Sequence, residues 1–159
     1  MFDKHQFRDL VEQVLREIDL HSVAAVQLLL GTAAQESRFG TYLHQLGGPA
    51  RGVFQMEPKT HADIWTNYLW SKPPLKHKIE RFIPFHCVGG PPQELEPELE
   101  RNLAYAVAMA RVHYLRVPEP LPMAGYITGL GAYWKKYYNT PLGKGTVQEF
   151  IDNYRRYVV

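Results

Sequence analysis

The sequence predicts a mainly α protein, and three observations carry that prediction. Val23, Ala24, Ala25, Val26, Leu28, Leu29, Leu30, Ala33 and Ala34 leave almost no polar face, the pattern of a helix buried nearly all round. The run from Glu98 to Arg116 is likewise apolar on most faces, giving a second central helix. Nowhere does an alternating apolar and polar series run long enough for a real sheet. Two apolar helices with amphipathic ones around them predict about six to eight helices on one core, a single domain over residues 1–159.

Taken in order, Phe7, Leu10, Val11, Val14, Leu15 and Ile18 fall at helical spacing, so residues 4–19 read as an amphipathic helix with Asp3 and Gln6 as a capping box. Ser22 is a good N-cap for the buried helix to about Glu36, and Gly40 is placed to stop it in the left-handed conformation. Residues 41–57 read as loop, with room for a very short β-hairpin. Pro58 suits a first helical turn, and Ile64, Trp65, Tyr68 and Leu69 give the next helix an apolar stripe until Pro73 and Pro74 end it. Trp65 and Trp70 at this spacing read as core rather than as sugar platforms.

A short helix is expected around Leu75 to Phe82. The stretch that follows, over residues 84–97, holds four prolines and reads as a long surface loop. After the second central helix, Pro118, Pro120 and Pro122 break the chain. Met123 to Tyr138 carries Met123, Tyr126, Ile127, Leu130 and Trp134 at helical spacing, and Gly125, Gly129 and Gly131 imply close backbone packing or an approaching ligand. A turn over residues 139–145 precedes Thr146 and Glu149, a capping box for a last helix through Phe150, Ile151, Tyr154 and Val158.

Composition narrows the function. Of 159 residues 45% are hydrophobic and 13% aromatic, ample for a packed core. The charge of +2, from 18 basic and 16 acidic residues, is too balanced for a nucleic-acid-binding face. One cysteine, Cys87, excludes an intramolecular disulfide framework. The seven histidines show no pair at metal-ligand spacing near a third ligand, so no metal and no cofactor are expected. The N-terminus lacks the continuous apolar core of a secretory signal, and no apolar run reaches the roughly 18–20 residues of a membrane span.

Glu36 is the residue out of place. Burial at the end of an apolar helix disfavours its charged form, and the negative end of the helix macrodipole pushes the same way, so its pKa is expected to rise. A raised carboxyl pKa suits a general acid working near neutral pH. The competing reading is a solvent-exposed Glu at a helix end.

Glu36-Ser37 is followed by the Gly-rich stretch Gly47-Gly48-Pro49 and then by Gly52-Val53-Phe54-Gln55-Met56 with Pro58. This set resembles the catalytic segment of the soluble-lytic-transglycosylase-like family of the lysozyme-like superfamily. That pattern is a Glu-Ser pair, a variable stretch, Gly, two apolar residues, Gln, an apolar residue and a Pro. Two later segments extend the resemblance. Asn102-Leu103, with Ala106 and Tyr114-Leu115, looks like the family's helix lining the cleft. Ala132-Tyr133-Trp134 looks like its Ala-Tyr-Asn segment, with Trp134 in place of Asn and Lys135-Lys136 where Ala-Gly normally follows.

The resemblance implies a lysozyme-like helical domain that cleaves peptidoglycan glycan strands at the β-1,4 bond between N-acetylmuramic acid and N-acetylglucosamine. Glu36 would be the acid and base, with Tyr133 against it and Ser37, Gln55, Met56, Asn102 and Trp134 on the substrate. Ser37 also reads as a plain helix-end cap. One carboxyl suffices where the substrate's acetamido oxygen supports the developing charge and its C6 hydroxyl closes a 1,6-anhydro ring. A hydrolytic muramidase would need a second carboxylate roughly 5–10 Å away, for which Glu57 and Asp63 are the candidates. A noncatalytic glycan-binding protein on the same scaffold is the third reading. Small size without a signal or wall-binding module fits a phage lysis enzyme or virion component, delivered to the wall beside other phage proteins.

Overall fold

The computed structural model describes residues 1–140 and 142–159, and the fold is mainly helical. Eight α-helices occur among the described residues: α1 Lys4–Glu17, α2 Val23–Ser37, α3 Pro58–Asp63, α4 Pro73–Glu80, α5 Glu98–Arg101, α6 Leu103–Leu115, α7 Ile127–Trp134 and α8 Val147–Tyr157. Helix α2 is the hub. From Ala25 to Ala34 only Gln27 of its side chains is not buried, and α1, α6, α7 and α8 all pack on it. The apolar residues of these helices join those of the 53–56 segment in one continuous core. No helix among the described residues is long and apolar enough to cross a membrane.

The caps explain where the main helices begin. Asp3 accepts hydrogen bonds from the backbone N–H groups of His5 and Gln6, and Ser22 from that of Ala25, satisfying donors that the first turns leave free. The expected reciprocal bond from Gln6 to Asp3 is not formed among the described residues. Thr146 and Glu149 close both halves of their capping box on α8. The predicted turn before it includes Pro141, which lies outside the described residues.

Several boundaries differ from expectation, each for a physical reason. Helix α2 ends at Ser37, three residues before the turn's glycine: Arg38 and Phe39 already take left-handed φ of 49° and 56°, ahead of Gly40 at 80°. Phe39, 1% exposed, accepts this backbone because its ring is packed edge-on against Phe7 at 5.1 Å. The expected helix 98–116 is two helices. Asn102 breaks it in extended conformation, its side chain accepting from Tyr105 N and donating to Phe82 O at 2.7 Å and to Glu98 Oε2 at 3.2 Å. Those bonds to another part of the chain outweigh the single backbone bond that continuity would add.

The helix from Pro58 passes into a π-helical turn, Ile64–Tyr68, and a short 3-10 turn, Leu69–Ser71. Trp65 is in the core as expected, but Trp70 is 75% exposed, because the change of winding rotates it off the apolar stripe. The expected helix from Met123 begins only at Ile127, after Gly125 at φ 83°, and continues as a π-helical turn, Lys135–Asn139. In place of a hairpin, residues 41–57 carry two isolated bridges, His44 with Arg51 and Arg51 with Met56. The Pro-rich stretch 84–97 is irregular apart from 3-10 turns at Phe85–Cys87 and Pro92–Leu95.

Glycine matters most at two close approaches. A Cβ on Gly52 would lie 1.9 Å from the Leu99 carbonyl oxygen, so what approaches this turn is the α5 backbone rather than a ligand. A Cβ on Gly31 would lie 2.2 Å from the tip of the Phe150 ring, which lets α2 and α8 come together. Phe150 in turn stacks on Trp134, with ring centroids 5.5 Å apart.

Candidate active site

The end of α2 opens into a cleft of about 670 Å³, and Glu36 is part of its lining. The loop 42–57 forms one wall through Tyr42, Gln45, Leu46, Ala50, Gln55, Met56 and Glu57. Thr60 of α3 and His113 of α6 extend it, and Tyr138, Asn139, Thr140 and Gly143 close the far side. The deeply buried run of α2 is what carries a carboxyl into this position. Its last turn emerges at the cleft before Arg38 reverses the chain.

Burial pushes the Glu36 carboxyl up to about 7, against the smaller opposing effect of a hydrogen bond from Trp134. The Trp134 indole Nε1–H donates to Glu36 Oε1 at 2.8 Å. Oε2 receives no hydrogen bond among the described residues and is not sealed from solvent. At neutral pH the group is therefore split between a protonated form, which can give a proton, and an ionised form, which can take one.

The other expected site residues divide. Gln55 and Met56 do line the cleft. Gln55 adopts φ 46°, and its Nε2 donates to Gly52 O at 2.8 Å, so the side-chain amide is braced across its own turn. Met56 is 3% exposed and its backbone pairs in both directions with Arg51 at 2.9 Å. Ser37 is sealed away: its Oγ donates to Ala33 O at 3.0 Å and accepts from Gly40 N at 2.8 Å. Its hydroxyl closes the helix end, which is the capping alternative rather than the substrate contact. Asn102 does not line the cleft, since its side chain is consumed in the junction between α5 and α6.

The Tyr133 hydroxyl donates to Glu119 O at 2.9 Å, and the residue lies outside the cleft lining. The helical turn that presents Trp134 to Glu36 turns the preceding side chain away. Trp134 itself is fully buried, touching the carboxyl from behind rather than reaching substrate. Tyr138 does line the cleft, as Tyr42 does, and its hydroxyl donates to Phe54 O at 2.8 Å, tying the turn after α7 to the Gly-Val-Phe-Gln-Met turn. Tyr138 and Asn139 lie five residues beyond Tyr133 and Trp134, and both line the cleft.

Tyr138 packs edge-on to His113 at 4.7 Å and against Tyr114 at 5.3 Å. Arg116 Nη2 donates to His113 Nδ1 at 2.9 Å, leaving Nε2–H to donate to Tyr137 O at 3.2 Å. Burial, helped by the Arg116 charge, pushes this imidazole down to about 4, so it is neutral in the cleft wall. No sequence pattern singled out His113, whose role depends on a partner more than twenty residues away.

Of the two candidate second carboxylates, Glu57 lines the cleft. Asp63 does not: it accepts from Asn67 Nδ2 at 2.7 Å and pairs with Arg116, both of which hold its pKa low. Among the described residues no three His, Cys, Asp or Glu side chains gather as a metal site. No protein-family model matches the chain, and searches of curated proteins and of solved structures likewise find no match.

Proposed function

We propose that this chain is a peptidoglycan lytic transglycosylase on a lysozyme-like helical scaffold, with Glu36 as its single acid and base. The observation that carries the reading is a carboxyl with a pKa of about 7 in the wall of an open cleft, one oxygen held and the other free. The free oxygen protonates the glycosidic oxygen as its bond to C1 of N-acetylmuramic acid breaks. The substrate's acetamido oxygen supports C1 as positive charge develops. The carboxylate then takes the proton of the C6 hydroxyl while that oxygen bonds C1, closing a 1,6-anhydro ring and restoring the acid. No water is consumed. The Gln55 amide, at the cleft wall, is suited to an acetamido or hydroxyl group of the sugar.

Glu57 supports a second reading. It shares the cleft with Glu36, and as a second carboxylate it would serve a hydrolytic muramidase as nucleophile or base. Mass spectrometry of soluble products from purified peptidoglycan separates the two, since hydrolysis adds water and ring closure does not. The expected result is muropeptides ending in 1,6-anhydromuramic acid, absent with Glu36→Gln. Reducing-end products lost with Glu57→Gln would establish the hydrolase instead. Glycan binding without products from the wild type would mean a noncatalytic binder.

A further inference from the structure

The contact between Trp134 and Glu36 joins two residues 98 positions apart, and its surroundings leave the indole little freedom. Trp134 is fully buried and its ring is stacked on Phe150 at an interplanar angle of 29°. Phe150 is itself packed where Gly31 and Gly131 have no side chains, with the site of a Gly131 Cβ 3.0 Å from its ring. On the other edge, a Cβ on Gly145 would lie 2.6 Å from the Trp134 ring. Confined in this way, the indole has one polar atom, and that atom meets Oε1 of Glu36 at 2.8 Å.

We propose that Trp134 is a positioning residue for Glu36, its indole N–H selecting which carboxyl oxygen carries the proton. In a neutral carboxyl the carbonyl oxygen is the better acceptor and the hydroxyl oxygen carries the hydrogen. A permanent donor on Oε1 therefore makes Oε1 the carbonyl and puts the proton on Oε2, the oxygen left open. An indole N–H donates and never accepts, so it cannot hold the acid in the opposite orientation. The same donor favours the ionised form and so limits how far burial raises the titration midpoint.

The other titratable groups facing this carboxyl are few. His113 and Tyr114 come from α6 and Tyr138 from the turn after α7, while Tyr42 and Glu57 belong to the loop and the start of α3. Helices α1 and α8 bring no ionisable group to the cleft lining among the described residues. Neither tyrosine of the buried pair donates to Glu36, because Tyr114 donates to Thr32 Oγ1 at 2.7 Å and Tyr138 to Phe54 O. The indole is the one protein donor to Glu36 among the described residues.

The physical claim stands without the proposed reaction; only its catalytic consequence rests on that reading. Glutamate δ-carbon and tryptophan indole NMR signals of the wild-type protein, followed from pH 4 to 9, read it directly. The Trp134 N–H proton is expected to shift with the same midpoint as the Glu36 carbon, and Glu36→Gln to abolish that shift. In Trp134→Phe, and in a variant carrying benzothienylalanine at 134, which keeps the shape of indole and has no N–H, the Glu36 midpoint should rise by about one pH unit. The alkaline limb of any pH-rate profile should move with it.

An indole resonance indifferent to Glu36 in the wild type overturns the proposal whether or not the variants fold. So does an unchanged midpoint in either folded variant. Coupled titration in a protein without muralytic products would leave the proposal standing and reject the proposed function.

Discussion

Glu36 is where the chemistry and the physics of a single residue meet. A carboxyl with a midpoint of about 7 is half protonated in neutral solution, and the acid form is the one that starts the proposed reaction. The expected pH-rate profile follows: kcat/KM on a defined glycan oligomer should fall about tenfold per pH unit above pH 7, as free enzyme loses its proton. Steady-state assays between pH 5 and 9 check this, and a fall already complete by pH 5 would mean an ordinary surface carboxyl. The raised midpoint was legible in the sequence because it arises from burial, and Glu36 stands at the end of a helix that is apolar nearly all round. The contact with Trp134 was not. It depends on α7 and α8 packing on α2, and the aligned segment suggested instead that Tyr133 faces the carboxyl.

At the scale of elements, capping chemistry is local and was therefore readable: Ser22 and the Thr146-Glu149 box cap the helices expected of them. The break at Asn102 was not readable, since the Phe82 carbonyl that holds its side chain is 20 residues away. Packing between helices carries the more consequential dependence. Because Gly31 leaves room for Phe150, Gly31→Ala must push α8 away from α2 or turn the Phe150 ring. Overpacking of this kind costs about 1–3 kcal/mol. The ring that must move is the one on which Trp134 stacks, so the disturbance should reach the cleft. The expected outcome is a lower urea midpoint by equilibrium unfolding, together with a displaced Trp134 indole resonance. A variant as stable as wild type with that resonance unmoved would show that α2 and α8 are not held this closely.

Over the whole molecule, three buried groups set how stability depends on pH. Burial pushes His61 and His113 down to about 4 from the usual 6.5, so each folded imidazole resists the proton that the unfolded chain accepts. Their contributions are present above pH 6.5 and are lost as pH falls toward 4. Glu36 works oppositely: its midpoint is raised from 4.5 to about 7, so its favourable contribution is present below pH 4.5 and is lost as pH rises through 7. Between pH 5 and 6 the native state holds about one proton more than the unfolded chain at Glu36 and about two fewer at the histidines. The net slope is that of one proton, so unfolding free energy should rise by about 1.2 kcal/mol per pH unit and level off near pH 7. The ion-paired carboxylates of Asp63 and Glu100, held low, titrate below this window. Glu36→Gln removes the opposing group and leaves both histidines, so its slope over the same interval should double to about 2.4 kcal/mol per pH unit. Urea titrations of both proteins at half-unit intervals from pH 5 to 8 measure this. Parallel curves would mean that Glu36 is not buried in the folded state, and two flat curves would mean that neither imidazole is. The doubling requires all three environments at once, in side chains carried by α2, α3 and α6, so this one comparison tests how those helices assemble around the core.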